Sequence, residues 1–320
     1  MITDPKLQQA TELYSAGRQT EATAIFREIM AKTTSPAVFL NAVQGFVVSA
    51  SRLEDTPELL KRTSDGIKVA TELKAYDSLA YLLATKAQFI SDNMGIMEYN
   101  QNNITLVPRW MGFSTERDQK LFNDLDEKVN KSKKEINELT QRALQIATET
   151  KNKDVEGHIH TEMGSYYGAE YLRIRGKNVS KNDRFRFLYK FHFILHRGYD
   201  RYFMYSKECR QELRDAIRNC MVSFEKAIAC YIETKDKNAE AYAHYNYAIQ
   251  LGSMAKFRLA NRTLNKAEKL AKEMDNKSLQ GRIVLLRKSH KSKNSDVPNY
   301  LEGETRNTEE EVIAFVEKMK

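Results

Sequence analysis

The sequence is short of everything that interrupts a helix. Its 320 residues hold only 13 glycines and 5 prolines, and three of those prolines follow a capping residue: Pro5 after Asp4, Pro36 after Ser35 and Pro57 after Thr56. Proline is tolerated at the first helical position because its missing N–H would be unpaired there anyway, and Asp, Ser or Thr before it accepts from the exposed amides. Breakers used as helix starts argue against a loop-rich β protein and predict an all-α chain. Cysteine is scarce as well. Cys209, Cys220 and Cys230 are an odd number within one predicted helix, which leaves no disulfide framework or paired-cysteine zinc spacing and points to buried thiols in a reducing compartment. The longest apolar run, Ala37 to Ala50, is too short for a bilayer and contains Asn41 and Gln44, so no transmembrane segment is expected. Met1 leads into a charged, capped helix, from which no secretory leader and a cytoplasmic location are expected. The N-x-[ST] sequons at Asn103, Asn178, Asn261 and Asn276 are then chance matches.

Catalytic signatures are missing too. There is no H-E-x-x-H, no Walker glycine loop and no G-x-S-x-G. His158 and His160, two residues apart, fall on different sides of a helix rather than on one metal. Glu170, Glu212 and the other carboxylates look like those of a solvated helix face. A chain without catalytic residues, metal or cofactor is the expectation.

What the sequence does have is repetition. The stretch Glu149-Thr-Lys-Asn-Lys-Asp-Val-Glu-Gly-His-Ile-His matches Glu233-Thr-Lys-Asp-Lys-Asn-Ala-Glu-Ala-Tyr-Ala-His, 84 residues later, and Gly168 and Gly252 keep the register. A weaker copy starts at Glu273, 40 residues further on. Each copy is a helix end, a short polar turn and a new helix. Such a unit cannot bury its apolar stripe alone, so neighbouring units must stack.

The residues within the units resemble the tetratricopeptide repeat. Its second-helix pattern of Ala, a large apolar residue four later and Ala three later is approached by Ala22 with Phe26 and Ile29, and recurs in Phe224 with Ala227 and in Ala260 with Leu264 and Ala267. Its first-helix pattern appears as Met163-Gly164-Ser-Tyr-Tyr167. The small residues let paired helices approach, and Phe or Tyr fills the groove between successive pairs. The resemblance covers roughly Asp4 to Ser289 in degenerate form. It implies a right-handed superhelical solenoid of antiparallel helix pairs that binds a protein or peptide on the concave face of its A helices. Alternating A and B helices are predicted at 5–16, 18–32, 36–51, 57–73, 76–93, 120–147, 153–171, 208–232, 238–252 and 256–274, with a closing helix at 278–289.

Two A-to-B connections are far longer than a turn. They cover 94–119 and 172–207, and because all such turns emerge on one edge, these insertions should lie side by side. Residues 290–320 form a polar tail, in which Thr308-Glu-Glu-Glu311 starts a short amphipathic helix that either caps the last pair or is free for a partner.

The first insertion holds the single tryptophan, Trp110, beside Arg109 and Phe113. This is the composition of an interface anchor, or else of a plug that folds back on the solenoid. The second carries the basic charge. From Arg173 to Arg201 there are nine basic residues and two acids, so most of the net charge of +8 sits there. Its candidate anion-binding residues are Arg173, Arg175, Lys177, Lys181, Arg184, Arg186, Lys190 and Arg197, interleaved with Phe185, Phe187, Tyr189, Phe191 and Phe193. As a strand this segment would show an aromatic and a cationic face; as a helix, which its neighbours favour, Phe187, Phe191, Ile194 and Leu195 make a core stripe. Exposed, it would bind nucleic acid through phosphates and stacked bases; otherwise the aromatics are core and the cations a solvated face.

The A-helix candidates for a partner are His158, Tyr242, Tyr245 and Asn246. The positions that grip acidic chaperone tails in the tetratricopeptide family hold His158, Thr161 and Ser165 in one helix and Tyr242, Tyr245 and Ile249 in another, so that clamp is absent. The expected function is a protein- or peptide-binding adaptor or sensor, with a nucleic-acid-binding helical repeat as the alternative. It could also be one component of a larger signalling or defence assembly.

Overall fold

The computed structural model describes residues 4–15, 18–51, 56–106, 116–181, 207–254 and 256–291. They form α1 Pro5–Ser15, α2 Gln19–Lys32, α3 Pro36–Ala50, α4 Thr56–Glu72, α5 Tyr76–Leu106, α6 Glu116–Thr150, α7 Lys153–Lys181, α8 Lys207–Thr234, α9 Lys237–Ser253, α10 Phe257–Glu273 and α11 Lys277–Lys291, with no strand among the described residues. No described helix is long and apolar enough to cross a membrane.

The helix starts are where the caps put them. Asp4 Oδ1 accepts from the Lys6 amide at 2.9 Å ahead of α1, and Ser35 Oγ accepts from Val38 at 3.5 Å ahead of α3. Four turns are built alike. Lys74, Lys151, Lys235 and Asp275 each adopt positive φ just after an even-numbered helix, a left-handed end that redirects the chain while its amides satisfy the last carbonyls. The residue after three of them then caps the next helix: Asn152 accepts from Val155, Asp236 from Ala239 and Asn276 from Leu279. The copies at Glu149 and Glu233 are therefore equivalent hairpins, and the third copy follows the same plan.

Consecutive helices touch, and each odd-numbered helix also touches the next odd-numbered one from α1 through α11. Within a pair the helices run antiparallel: Lys6 at the start of α1 bonds Glu28 near the end of α2 at 2.7 Å, and Lys237 at the start of α9 bonds Glu273 at the end of α10 at 2.9 Å. Successive odd helices run parallel, since Asn276 at the start of α11 donates to Asn238 at the start of α9 at 3.2 Å.

The connections differ from the sequence expectation. Residues 94–106 continue α5, α6 begins at Glu116, and residues 172–181 continue α7. Within the expected insertions 94–119 and 172–207, the described residues 94–106, 116–119, 172–181 and 207 are thus helical. No proline falls between Met94 and Leu106 to stop a helix there. Met94 is fully buried and packs with Val129 and Ile136 of α6, so packing rewards the longer hairpin. Residues 107–115 and 182–206, with Arg109, Trp110, Phe113, Arg184, Arg186, Lys190 and Arg197, lie outside the described residues, as does the tail from 292.

The two largest apolar clusters among the described residues lie one across α1 to α7 and one across α7 to α11; α7 supplies Ile159 to the first and Tyr171 to the second. Neighbouring helices approach closely because small residues face large rings. A Cβ on Gly164 of α7 would lie 2.6 Å from the ring of Phe224 in α8, and one on Gly45 of α3 would lie 2.3 Å from the ring of Phe26 in α2. The three thiols are buried in the same packing, and burial pushes the Cys220 thiol up to about 12. Gly164→Ala is expected to lower unfolding stability by about 1–3 kcal/mol, the range for overpacking a tight contact. Denaturant titration checks it, and an unchanged midpoint would show that α7 and α8 are not so tightly apposed.

Candidate functional site

The shared turn geometry fixes a register across the odd helices. Tyr81, His158, Tyr242 and Arg282 each stand seven residues beyond a left-handed turn residue, in α5, α7, α9 and α11. Because these helices are parallel, equivalent residues become neighbours. The Tyr81 and His158 rings stack with centroids 4.4 Å apart and an interplanar angle of 21°.

From that stack a polar seam runs along the α5–α7 junction. On α7 it is a single stripe of three- and four-residue steps, His158, Glu162, Tyr166, Glu170 and Arg173. On α5 it comprises Tyr81, Ser91 and Asp92. Farther along, Arg173 bonds Glu170, donates to Ser91 Oγ at 3.2 Å and lies over the Tyr166 ring at 5.3 Å. Lys133 of α6 donates to the other Glu170 oxygen at 2.5 Å. Burial opposes the charge on Glu170, yet the Lys133 hydrogen bond and the Arg173 cation hold its carboxyl below the usual carboxylate range.

The other two carboxyls have no such support. Burial, followed by the charge of Asp92, pushes Glu162 up to about 8. Asp92 is exposed, and the loss of solvation to the protein atoms near it pushes its carboxyl up only against the pull of Arg173. Burial lowers His158 to about 4, so its 3.8 Å approach to Glu162 joins two neutral groups at neutral pH rather than an ion pair. Its Nε2 is buried with no hydrogen-bond partner among the described residues. Burial also raises Tyr166 to about 12, and it raises Tyr81 and Tyr231 of α8, both of which feel the charge of Glu162. The seam is thus a line of acceptors and aromatic rings, with its two cations already engaged by Glu170. Among the described residues no group of three or more His, Cys, Asp or Glu is placed to hold a metal ion.

A scan of protein-family models and a search of curated proteins each returned no match to this chain.

Of the residues singled out in the sequence, His158 lies in the seam. Tyr242 and Asn246 are half-buried at the matching positions of α9. Tyr245 is only 5% exposed and belongs to the second core cluster, as does Tyr247, which stacks on Phe224 at 5.0 Å. Arg173 is not a cation offered to solvent: its side chain is 7% exposed and ion-paired. Arg175, Lys177 and Lys181 lie on the last turns of α7. Glu170 is no solvated-face carboxylate either, since Lys133 and Arg173 enclose it. Sequence reasoning missed Tyr81, Asp92, Glu162 and Tyr166. The four-residue spacing from His158 to Glu170 was the available signal, but the partner stripe on α5 is visible only in three dimensions.

Glu162 makes stability depend on pH. The folded state holds its proton at pH values where the unfolded chain, with an ordinary value of 4.5, has released it. Stability from this group therefore falls as pH rises from 4.5 to about 8 and then levels off. Glu162→Gln should remove that slope: melting curves of the two proteins are expected to coincide near pH 4–5 and to favour the variant at about pH 9. Parallel curves across the range would contradict the shift.

Proposed function

We propose that this chain is a non-catalytic, protein- or peptide-binding adaptor or sensor, a degenerate tetratricopeptide-like array acting in the cytoplasm, with its odd helices lining the concave side of a right-handed superhelix. The observation that carries this reading is the α5–α7 seam. Polar and aromatic side chains from parallel neighbours gather there, at the helix face where tetratricopeptide arrays engage peptides, although a structural core would favour apolar residues at those positions. Tyr242 and Asn246 continue the same face into α9. The nucleic-acid alternative loses one of its candidate residues, because Arg173 is committed to Glu170 and Ser91. Membership of a larger signalling or defence assembly fits an adaptor and adds no separate observation.

A photo-crosslinking amino acid at Asn246, on the proposed face, and at exposed Lys269 of α10, on an even helix, tests the reading. In cells of the source organism, Asn246 is expected to trap one discrete partner and Lys269 none. Glu162→Ala should reduce the yield at Asn246 by about tenfold, the loss of about 1.4 kcal/mol of binding. Equal labelling from both positions would remove the odd-helix face as the binding surface.

A further inference from the structure

We propose that the α11 end of the odd-helix face binds a single oxyanion, a carboxylate or phosphate carried by a peptide, on the guanidinium of Arg282 and the hydroxyl of Ser278. This deepens the peptide-binding reading and rests on it.

The first support is a buried cation without a counter-charge. Arg282 of α11 is only 3% exposed, and its Nε is buried without a hydrogen-bond partner. No hydrogen bond or ion pair joins its side chain to any described residue. A guanidinium is a permanent cation with five N–H donors, and taking one out of water is costly unless acceptors and negative charge meet it. No acid close in the fold is free to do so. α11 has no acidic residue, and those of α9, α10 and the turn before α11 are Glu240, Glu268, Glu273 and Asp275. Glu268 is taken by Lys272 at 2.8 Å and Arg287 at 2.6 Å, and Glu273 by Lys237 at 2.9 Å. Glu240 lies 3.8 Å from His244, and Asp275 lies 3.9 Å from Lys277.

The second support is a hydroxyl in the same state. Ser278 stands four residues before Arg282, and its Oγ is also buried without a partner. Residues four apart share one face of a helix, so the two unsatisfied groups are neighbours. A carboxylate or phosphate accepts from both, and its paired oxygens match the fork of the guanidinium. An ammonium brings only donors and a second positive charge.

The third support is place. Arg282 holds on α11 the position that Tyr81, His158 and Tyr242 hold on α5, α7 and α9, and Tyr242, its neighbour in register, is half-buried. The unsatisfied cation therefore lies on the face proposed above for a peptide. So little of it reaches the surface that one side-chain head or chain terminus fits, rather than a run of charges along a polyanion.

The test titrates the full chain, ¹⁵N-labelled in its arginine side chains, at constant ionic strength and follows the Nε–H signals by NMR. The probes are acetate, inorganic phosphate, acetamide as the uncharged counterpart of acetate, and n-butylammonium. Acetate or phosphate is expected to shift the Arg282 signal to saturation, and the tighter of the two identifies the source. Ser278→Ala should weaken that binding by about tenfold, the loss of about 1.4 kcal/mol. Arg282→Met examines the unpaired cation without any ligand: an apolar chain of similar length in place of a buried, partnerless ion should raise the melting temperature of the free protein. An Arg282 signal unmoved by both anions, acetamide or butylammonium that moves it as far, or a lower melting temperature for Arg282→Met would each overturn the proposal. The crosslink at Asn246 separates this outcome from the parent reading. A partner trapped at undiminished yield by Arg282→Met leaves the odd-helix face standing and removes the oxyanion, whereas no partner trapped with or without the substitution removes both.

Discussion

Every feature of this molecule depends on short helices burying one another's apolar stripes. An isolated helix as short as α1, with 11 residues, is marginal in water because nucleation is unfavourable and few hydrogen bonds repay it. Burial against a neighbour supplies the stability, and it does so only if the axes come close. Gly164 against Phe224 sets that approach within a pair, and Gly45 against Phe26 sets it between successive pairs. The left-handed turns at Lys74, Lys151, Lys235 and Asp275 then return the chain at the same angle each time. Repetition of one turn makes the odd helices parallel.

Parallel alignment has an electrostatic consequence. It brings residues of equal register into contact, so Tyr81 meets His158, and the stripe that follows on α7 faces Ser91 and Asp92 on α5. Polar groups confined between helices lose solvation without all gaining partners. Glu170 finds two cations and stays ionised, whereas Glu162 finds none and is driven toward its protonated form. The same stacking that stabilises the array therefore leaves one junction with unmatched acceptors, and that imbalance is what the functional reading builds on.

Much of the fold was legible in the sequence because its punctuation is strong. Asp4-Pro5, Ser35-Pro36 and Thr56-Pro57 marked three helix starts, and the turns after Glu149 and Glu233 proved to be one structure. The lengths of α5 and α7 were not legible. A lone glycine such as Gly95 or Gly176 weakens a helix by only about 1 kcal/mol, and the burial that offsets it, Met94 against α6, is a tertiary fact. The seam was half legible. Spacing placed His158 and Glu170 on one stripe of α7, but nothing local told that stripe from a solvated face. The difference lies in Lys133 and α5, distant in sequence. Tyr245 shows the converse: a tyrosine-rich helix looked like a binding surface, yet inter-helix packing took that ring into the core.

The parallel arrangement of the odd helices carries all of this, and a distance between spin labels at exposed Asp77 and Asp154, near the starts of α5 and α7, tests it directly. Packed parallel helices lie about 8–10 Å apart, so a single narrow distribution near that spacing plus the label tethers is expected. An antiparallel arrangement would separate the labels by roughly the length of α7, about 40 Å at 1.5 Å per residue, and a distribution centred there would contradict the account.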